Sequence, residues 1–274
     1  MPKTNQKDTL DRFYTKTDVA VRCVNSIEDT LRTFDTIIEP SAGGGSFIKA
    51  LSSFDNVEGY DLAPTYKDVI KADWFDINPS RKGKVCIIGN PPFGKRNVLS
   101  KAFITHAISF DNVECVAMIL PNSWNKPSLQ NATFPTRWRL VKNEKLPLNS
   151  FTFEDKDYKV PCSFQVWVKD SKGLDLRWDI NPKVIHKDFT FVEKEDADFF
   201  MMGASPKTLK HPNEVSKSNR GYYIKSNIDL SLLRKALTDI PWDDIGNATA
   251  GGGVYWISKP ELIKAYLDYK GETL

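Results

Sequence analysis

Four consecutive residues carry the clearest chemical signal in this chain: Asn90, Pro91, Pro92 and Phe93. They follow an apolar run, residues 85–88, that predicts a buried strand, and two prolines then prevent regular structure from continuing. An amide side chain, a proline-restrained backbone and an aromatic ring therefore stand at the carboxyl end of a strand. In open α/β sheets that is where ligands bind. The alternative is an ordinary proline-rich turn, since Asn-Pro steps commonly start turns.

The tetrapeptide resembles the catalytic motif of S-adenosylmethionine-dependent amino-methyltransferases, most of which methylate adenine N6 in nucleic acids. The exocyclic amine of a base is a poor nucleophile because its lone pair is delocalised into the ring. The resemblance implies that the side-chain oxygen of Asn90 and the carbonyl of Pro91 accept the amine hydrogens, while Pro91 and Pro92 fix that carbonyl's direction. Phe93 would stack on a flipped base, a contact worth about 1–3 kcal/mol. Alignment and electrostatics then suffice, without a metal.

A glycine-rich turn follows an earlier apolar run. Glycines let the backbone approach a ligand closely, but the Gly-x-Gly-x-x-Gly spacing of dinucleotide sites is absent. The series Glu39, Pro40, Ser41, Gly43 and Gly45 resembles the methyltransferase motif that cradles S-adenosylmethionine. The resemblance implies that Glu39 faces the positively charged amino group of the cofactor or its water shell.

A second strand-like run ends at Asp61, 22 residues beyond Glu39. This is close to the ~20-residue offset of the ribose-binding acid in βαβ units. In the resembling family such an acid accepts both ribose hydroxyls, which makes Asp61 the ribose candidate. Each acid in this part of the chain could instead be a loop residue or a helix cap.

The next acids stand beside aromatic residues. The resemblance implies that Asp73 accepts a hydrogen bond from the cofactor's adenine amine and that Trp74 or Phe75 packs on the ring, with Asp76 as the alternate acid.

Near the amino terminus, Tyr14 and Thr15 precede a predicted helix. They resemble a motif whose threonine hydroxyl and nearby amides hold the carboxylate of the cofactor's methionine moiety, although Lys16 stands where the family usually has proline. An ordinary capped helix is the alternative.

Bulk properties allow one large α/β domain with an appendage. The chain has 274 residues, 41% of them hydrophobic. No apolar run approaches the ~20 residues of a membrane helix, and the first ten residues lack a signal-peptide pattern. Four widely spaced cysteines within apolar runs are typical of reduced core thiols rather than of a metal site or disulfides. We therefore expect a cytoplasmic protein that needs neither a membrane nor a metal.

Positive charge is concentrated around the tetrapeptide. The net charge is only +3, yet residues 80–145 hold eleven Lys or Arg against three acids, a local excess of +8. A basic field of this kind attracts a polyanion. Lys95 and Arg96, just beyond the motif, are candidate substrate contacts. Accidental clustering on a solvated surface is the alternative.

Two aromatic residues beyond the motif are further substrate candidates. Trp124 opens a loop after the predicted strand 115–120, so it is expected at the mouth of the site, with residues 124–135 as a mobile lid. Phe153 lies near the turn of a predicted closing hairpin formed by residues 150–153 and 162–168. The resemblance implies that an aromatic residue near such a turn sandwiches the target base; the alternative is that Phe153 is a core hydrophobe.

The motifs resemble, in their order, adenine methyltransferases whose target-recognition part is carboxy-terminal. We therefore predict an α/β protein with a Rossmann-like, seven-stranded methyltransferase sheet. Residues 1–170 would form the catalytic domain, and residues 171–274 a small α+β recognition or accessory region. Within that region, residues 207–225 hold five basic residues and one acid, with two tyrosines. This mixture suits a nucleic-acid surface about as well as it suits a plain surface loop.

The resemblance implies an adenine-specific DNA methyltransferase that flips its target base. An RNA adenine N6-methyltransferase remains open, because phenylalanine at the fourth motif position also occurs in RNA-modifying relatives. A non-catalytic nucleic-acid-binding subunit is the third possibility, although such subunits usually lose one of the two motifs that are intact here. Glutamine methyltransferases of proteins use a similar motif, but typically with tyrosine.

Overall fold

The computed structural model describes residues 14–153, 156–177, 186–242 and 257–272. The chain divides into two compact units, Met1–Trp178 and Asp179–Leu274. Each unit has a hydrophobic core of its own.

In the first unit, short helices and strands alternate along the chain. They are β1 (Tyr14–Thr15), α1 (Thr17–Asn25), α2 (Glu28–Leu31), β2 (Thr36–Glu39), α3 (Ser46–Ala50), β3 (Val57–Asp61), β4 (Ile70–Lys71), β5 (Val85–Gly89), α4 (Val98–Ile108), β6 (Val113–Pro121), α5 (Pro127–Asn131), β7 (Trp138–Lys145), β8 (Phe151–Phe153), β9 (Lys156–Tyr158) and β10 (Cys162–Lys169).

Seven of these strands form the central sheet, in the order β4-β3-β2-β5-β6-β10-β7. The first five strands are parallel, and β10 runs antiparallel to both of its neighbours. The predicted Rossmann-like, seven-stranded sheet is thereby confirmed. Since the strand order reverses between β2 and β5, their carboxyl ends flank the crevice where open α/β sheets bind ligands.

The predicted closing hairpin was wrong. Strand β8 pairs with β1 and β9 in a separate three-stranded sheet, whereas β10 pairs with β6 and β7. The charged segment after β8 contains a strand of its own, which folds back on β8. In β10 the residues from Cys162 to Trp167 are all buried, and such a strand needs a partner on both sides.

The second unit is an antiparallel sheet with helices. Its elements are β11 (Phe189–Phe191), β12 (Phe199–Met202), β13 (Ser205–Lys210), β14 (Gly221–Ser226), α6 (Leu230–Asp239) and α7 (Lys259–Lys270). The strand order is β11-β14-β12-β13. Apolar side chains of the sheet and of both helices share one core, which includes Met201, Ile224, Leu233, Leu237 and Tyr266. The predicted carboxy-terminal α+β region is confirmed.

Across the described residues, no helix combines the length and the apolar character that crossing a bilayer requires.

Candidate active site

A cavity of about 380 Å³ lies at the carboxyl ends of β2, β3 and β5 in the first unit. Most residues that the sequence singled out line it. These are Tyr14, Thr15, Glu39, Pro40, Ser41, Gly43, Asp61, Asp73, Trp74, Asn90, Pro91, Pro92 and Phe93. Residues separated by up to 79 positions in the chain therefore meet in one space.

Glu39, the last residue of β2, is the most unusual of these residues. Its side chain is 3% exposed, and its Oε2 atom has no hydrogen-bond partner among the described residues. Burial raises the pKa of this carboxyl to about 8; the amide of Ile48 opposes the shift by hydrogen bonding, and the charge of Asp61 adds to it. A buried acid of this kind in a cleft is typical of a functional site.

The glycine at the end of β5 makes room for Glu39. Gly89 has a φ of +148°, and a Cβ atom there would lie 3.0 Å from Cγ of Glu39. Because β2 and β5 are adjacent parallel strands, a larger residue at Gly89 would push the carboxyl aside.

Thr15 and Tyr14 reach the cavity on strand β1. The carbonyl of Thr15 accepts a hydrogen bond from Ser46 Oγ at 2.7 Å. Its own Oγ1 is buried and has no partner among the described residues. The ring of Tyr14 lies against the glycine loop, where a Cβ atom at Gly43 would be 3.2 Å from it.

Asp61 holds the glycine loop at the end of β3. Its Oδ2 accepts the backbone N–H of Gly43 at 2.8 Å, and its Oδ1 accepts that of Ala63 at 2.8 Å. Each carboxylate oxygen can accept a second hydrogen bond. Asp61 therefore has a structural role in the loop and retains acceptor capacity toward the cavity.

Asp73, Trp74 and Phe75 occupy different structural positions beside the cavity. Asp73 caps a short 3₁₀ turn by accepting the N–H of Phe75 at 3.0 Å. Trp74 is 1% exposed, and its indole donates to the carbonyl of Phe103 at 3.2 Å. Phe75 also lines the cavity and is 43% exposed. Of the two aromatic candidates for a ring contact, Phe75 thus has the more accessible ring.

The tetrapeptide loop is tied to the glycine loop. Ser41 Oγ donates to the carbonyl of Asn90 at 3.0 Å. Phe93 is 2% exposed and meets Phe151 edge-on, with ring centroids 6.4 Å apart. The ring of Phe93 is therefore held by packing and can meet a ligand only from the cavity.

The segment just after the tetrapeptide has a strained backbone. Arg96 and Asn97 have φ values of 55° and 64°, which non-glycine residues adopt at some energetic cost, a feature often found at functional sites. Asn97 Nδ2 donates to Ser123 Oγ at 2.8 Å and anchors the segment. Lys95 and Arg96 are exposed and do not line the cavity.

Gly45 and Phe153 are two further sequence candidates. Gly45 directly precedes α3 with a φ of +76°, and a Cβ atom there would be 2.5 Å from the ring of Tyr66, so it shapes the loop without lining the cavity. Phe153 ends β8, and its side chain lies outside the described part of the structure.

The expectation that Trp124 stands at the mouth of the site is corrected. Its side chain is fully buried in the core, 6.4 Å from Phe134, and its indole donates to Ser100 Oγ at 3.1 Å. The following segment forms α5 and packs through the buried Gln130, which does not suit a mobile lid.

Sequence reasoning missed the apolar part of the wall. Leu62, Leu99 and Phe103 line the cavity, and Leu62 and Leu99 are 53% and 37% exposed. The available signal was an apolar side chain directly after the acid at the end of β3, where a polar loop residue is normally expected.

The cavity wall has two buried oxygens without partners among the described residues, on Thr15 and Glu39. Acids and exposed apolar side chains line the same cavity. Buried polar atoms are costly unless they are hydrogen-bonded, so a ligand carrying an ammonium group and a hydrogen-bond acceptor would complete this wall. Among the residues that the structure describes, no group of three or more His, Cys, Asp or Glu could hold a metal ion.

No family model matches the chain, and neither does any curated protein. Similar solved structures include a "putative RNA methyltransferase PH1948 from Pyrococcus horikoshii", with 15% identity, 61% of this chain and 90% of that chain covered, and a TM-score of 0.47. Another is magnesium protoporphyrin IX methyltransferase from Synechocystis PCC 6803 with bound SAM, with 10% identity, coverages of 56% and 79%, and a TM-score of 0.38. At these identities the likenesses concern the fold alone.

Proposed function

We propose that this protein transfers a methyl group from S-adenosylmethionine to N6 of adenine in DNA. One observation carries the proposal: a single cavity is lined both by residues suited to the donor and by Asn90, Pro91, Pro92 and Phe93. The donor supplies an activated methyl group on a sulfonium. The protein has to align that methyl with an amine and exclude water.

The donor's polar groups correspond to the polar residues of the wall. The hydroxyl of Thr15 binds the carboxylate, and the carboxyl of Glu39 binds the ammonium. Asp61 accepts hydrogen bonds from the ribose hydroxyls with the capacity it retains. Asp73 binds the adenine amine, and Phe75 packs on the ring from its accessible side. The apolar side chains of Leu62 and Leu99 cover the remaining ring surface.

The acceptor amine belongs beside the tetrapeptide. The side-chain oxygen of Asn90 and the carbonyl of Pro91 accept its two hydrogens, which directs the nitrogen lone pair at the methyl carbon. The N–C bond forms as the C–S bond breaks, and the electron pair of the broken C–S bond stays on sulfur. N6 then releases one proton to solvent. Phe93 contacts the base from the cavity wall.

Nucleic acid is favoured because charge near the tetrapeptide is positive. Lys95 and Arg96 are exposed immediately beyond it. A base in a duplex must leave its stack to reach a cavity, at a cost of a few kcal/mol, and phosphate contacts from such residues would offset this cost. The second unit would help to hold the target.

The test is methyl transfer by Asn90→Ala protein from labelled donor to matched DNA and RNA oligonucleotides. We expect at least a 100-fold loss of kcat, by analogy with removal of one transition-state hydrogen-bonding group, with donor affinity within twofold of wild type. Asn78→Ala is the matched control, because Asn78 only caps a turn at Ser80 away from the cavity. It should keep wild-type activity.

The outcomes separate the alternatives. Full activity of the Asn90→Ala protein would overturn the mechanism. Transfer to RNA and not to DNA would assign the RNA reaction to the same site. Donor binding without transfer to either would point to a binding subunit.

A further inference from the structure

The sheet of the second unit has a face turned away from its core. Residues directly opposite each other on adjacent antiparallel strands share a face. Met201 pairs with Tyr222 and Leu209, and all three belong to the core. The neighbouring pairs join Phe200 to Tyr223 and to Lys210, and since faces alternate along a strand, these lie on the opposite side. We call this side the outer face.

An aromatic platform stands at the centre of the outer face. Tyr223 lies on β14, one of the two inner strands, and is partly exposed. Its ring meets Phe200 edge-on, with centroids 4.8 Å apart. Phe200 is 2% exposed and lies over Gly221, where a Cβ atom would be 2.7 Å from its ring. Tyr223 is thus a supported aromatic ring that solvent can still reach.

Positive charge is concentrated in the chain segment that contains this platform. Residues 199–226 carry five Lys or Arg and one acid, Glu214. Lys217, Arg220 and Lys225 are exposed, and no ion pair found among the described residues involves them. Lys210 donates only to the amide oxygen of Asn219, at 3.3 Å.

Three lysines elsewhere in the same unit are paired with acids. Lys187 pairs with Glu272 at 3.1 Å, Lys235 pairs with Asp239, and Lys264 pairs with Asp268 at 2.8 Å. Asp198 lies near Lys225, since its Oδ2 accepts the backbone N–H of the next residue, Ser226, at 2.7 Å, but no ion pair joins the two side chains among the described residues. Among the described residues, Lys217, Arg220 and Lys225 thus lack the ion pairs that the three lysines elsewhere make.

We propose that the outer face binds a single-stranded stretch of nucleic acid. Tyr223 stacks on one base, while Lys217, Arg220 and Lys225 neutralise phosphates. Basic side chains combined with an accessible aromatic ring are the usual means of binding an unpaired strand. A duplex offers no free base face to such a ring. The inference extends the proposed function by naming what the second unit holds, but the binding itself requires no methyl transfer.

The experiment uses the full-length chain and a fluorescein-labelled single-stranded oligonucleotide, in DNA and RNA versions, with fluorescence anisotropy over a salt series. The triple variant K217Q/R220Q/K225Q should bind about 10- to 100-fold more weakly. The slope of log K against log salt should fall by about 2, at ~0.7 per phosphate contact. The matched control K187Q/K235Q/K264Q removes the same charge from the same unit and should stay within twofold of wild type.

Tyr223 is tested separately from charge. Tyr223→Ala should weaken binding between about 5-fold and about 100-fold, whereas Tyr223→Phe should bind within twofold of wild type. Equal losses in the two triple variants would overturn the proposal, and so would unchanged binding by Tyr223→Ala. Preference for a duplex, or equal competition by polyglutamate, would also overturn it.

Failure here is distinguishable from failure of the proposed function. Variants of the outer face should keep donor affinity. The Asn90→Ala protein should keep oligonucleotide affinity and lose transfer. The DNA and RNA versions of the probe show which strand the face prefers.

Discussion

Each unit has a buried carboxyl group, and the pKa values of the two groups are shifted in opposite directions. Asp188, in the second unit, is 5% exposed and accepts hydrogen bonds from Tyr266 at 3.0 Å and from Lys270 at 2.8 Å. Burial alone would raise its pKa, but these two partners hold the pKa below the ordinary value. Glu39, equally buried in the first unit, has its pKa raised to about 8.

The two acids differ in the hydrogen-bond donors that the chain itself supplies. Oδ2 of Asp188 has two such donors, Tyr266 and Lys270. Glu39 lines a cavity and keeps an oxygen without a partner among the described residues. An ionised carboxyl in this position would need a cationic partner, which the ammonium group of the proposed donor would supply.

The largest effect that would test this contrast is the dependence of the unfolding free energy on the protonation of Glu39. Its pKa in the folded chain, about 8, exceeds the ordinary value of 4.5. The folded chain therefore holds a proton that the unfolded chain releases, and stability falls as pH rises from about 4.5 to about 8. The loss is roughly 4–5 kcal/mol at most. The Glu39→Gln variant should escape this loss, so calorimetric unfolding should show its advantage growing with pH. If the difference in unfolding free energy between Glu39→Gln and wild type did not change with pH, the proposed contrast between Glu39 and Asp188 would be wrong.

A smaller effect of opposite sign is expected at Asp188. The Asp188→Ala variant leaves Tyr266 and Lys270 without their acceptor and should destabilise the second unit by roughly 2–3 kcal/mol. Asp239→Ala is the control: it removes an exposed ion pair with Lys235 and should destabilise the unit much less, because exposed ion pairs contribute little to stability. Chemical denaturation measures both. Equal losses of stability in the two variants would show that the buried hydrogen bonds of Asp188 stabilise the unit no more than an exposed ion pair does.

The smallest effect concerns donor binding. If ionised Glu39 binds the donor's ammonium, donor affinity should fall up to tenfold per pH unit as pH drops below 8, or about 1.4 kcal/mol per unit. Near pH 7 the protein should release about one proton per donor bound. Titration calorimetry in two buffers of different ionisation enthalpy measures this number. The Glu39→Gln protein should release none; equal release by both proteins would contradict the assignment.

The central sheet and the cavity wall could be predicted because their signals are local. Apolar runs mark the strands, and glycine, proline or an acid marks each strand's end, as at Glu39, Asp61 and Gly89. In a parallel sheet all these ends meet at one edge. The local sequence at each strand end was therefore enough to predict which residues, although distant in the chain, would line one cavity.

The parts that could not be predicted depend on long-range packing. An aromatic residue after a strand, such as Trp124, suits a pocket mouth or a core equally well until its neighbours are known. The pairing of β8 with β1 joins segments more than 130 residues apart, which no local pattern encodes. Likewise, the partners of Asp188 lie 78 and 82 residues further along the chain.

The hydrogen bond from Ser41 to the carbonyl of Asn90 joins the glycine loop to the tetrapeptide loop. In the proposed reaction the first loop binds the methyl donor and the second binds the acceptor amine. Donor binding would then fix the position of Asn90 before the acceptor arrives, which predicts an ordered mechanism in which the donor binds first.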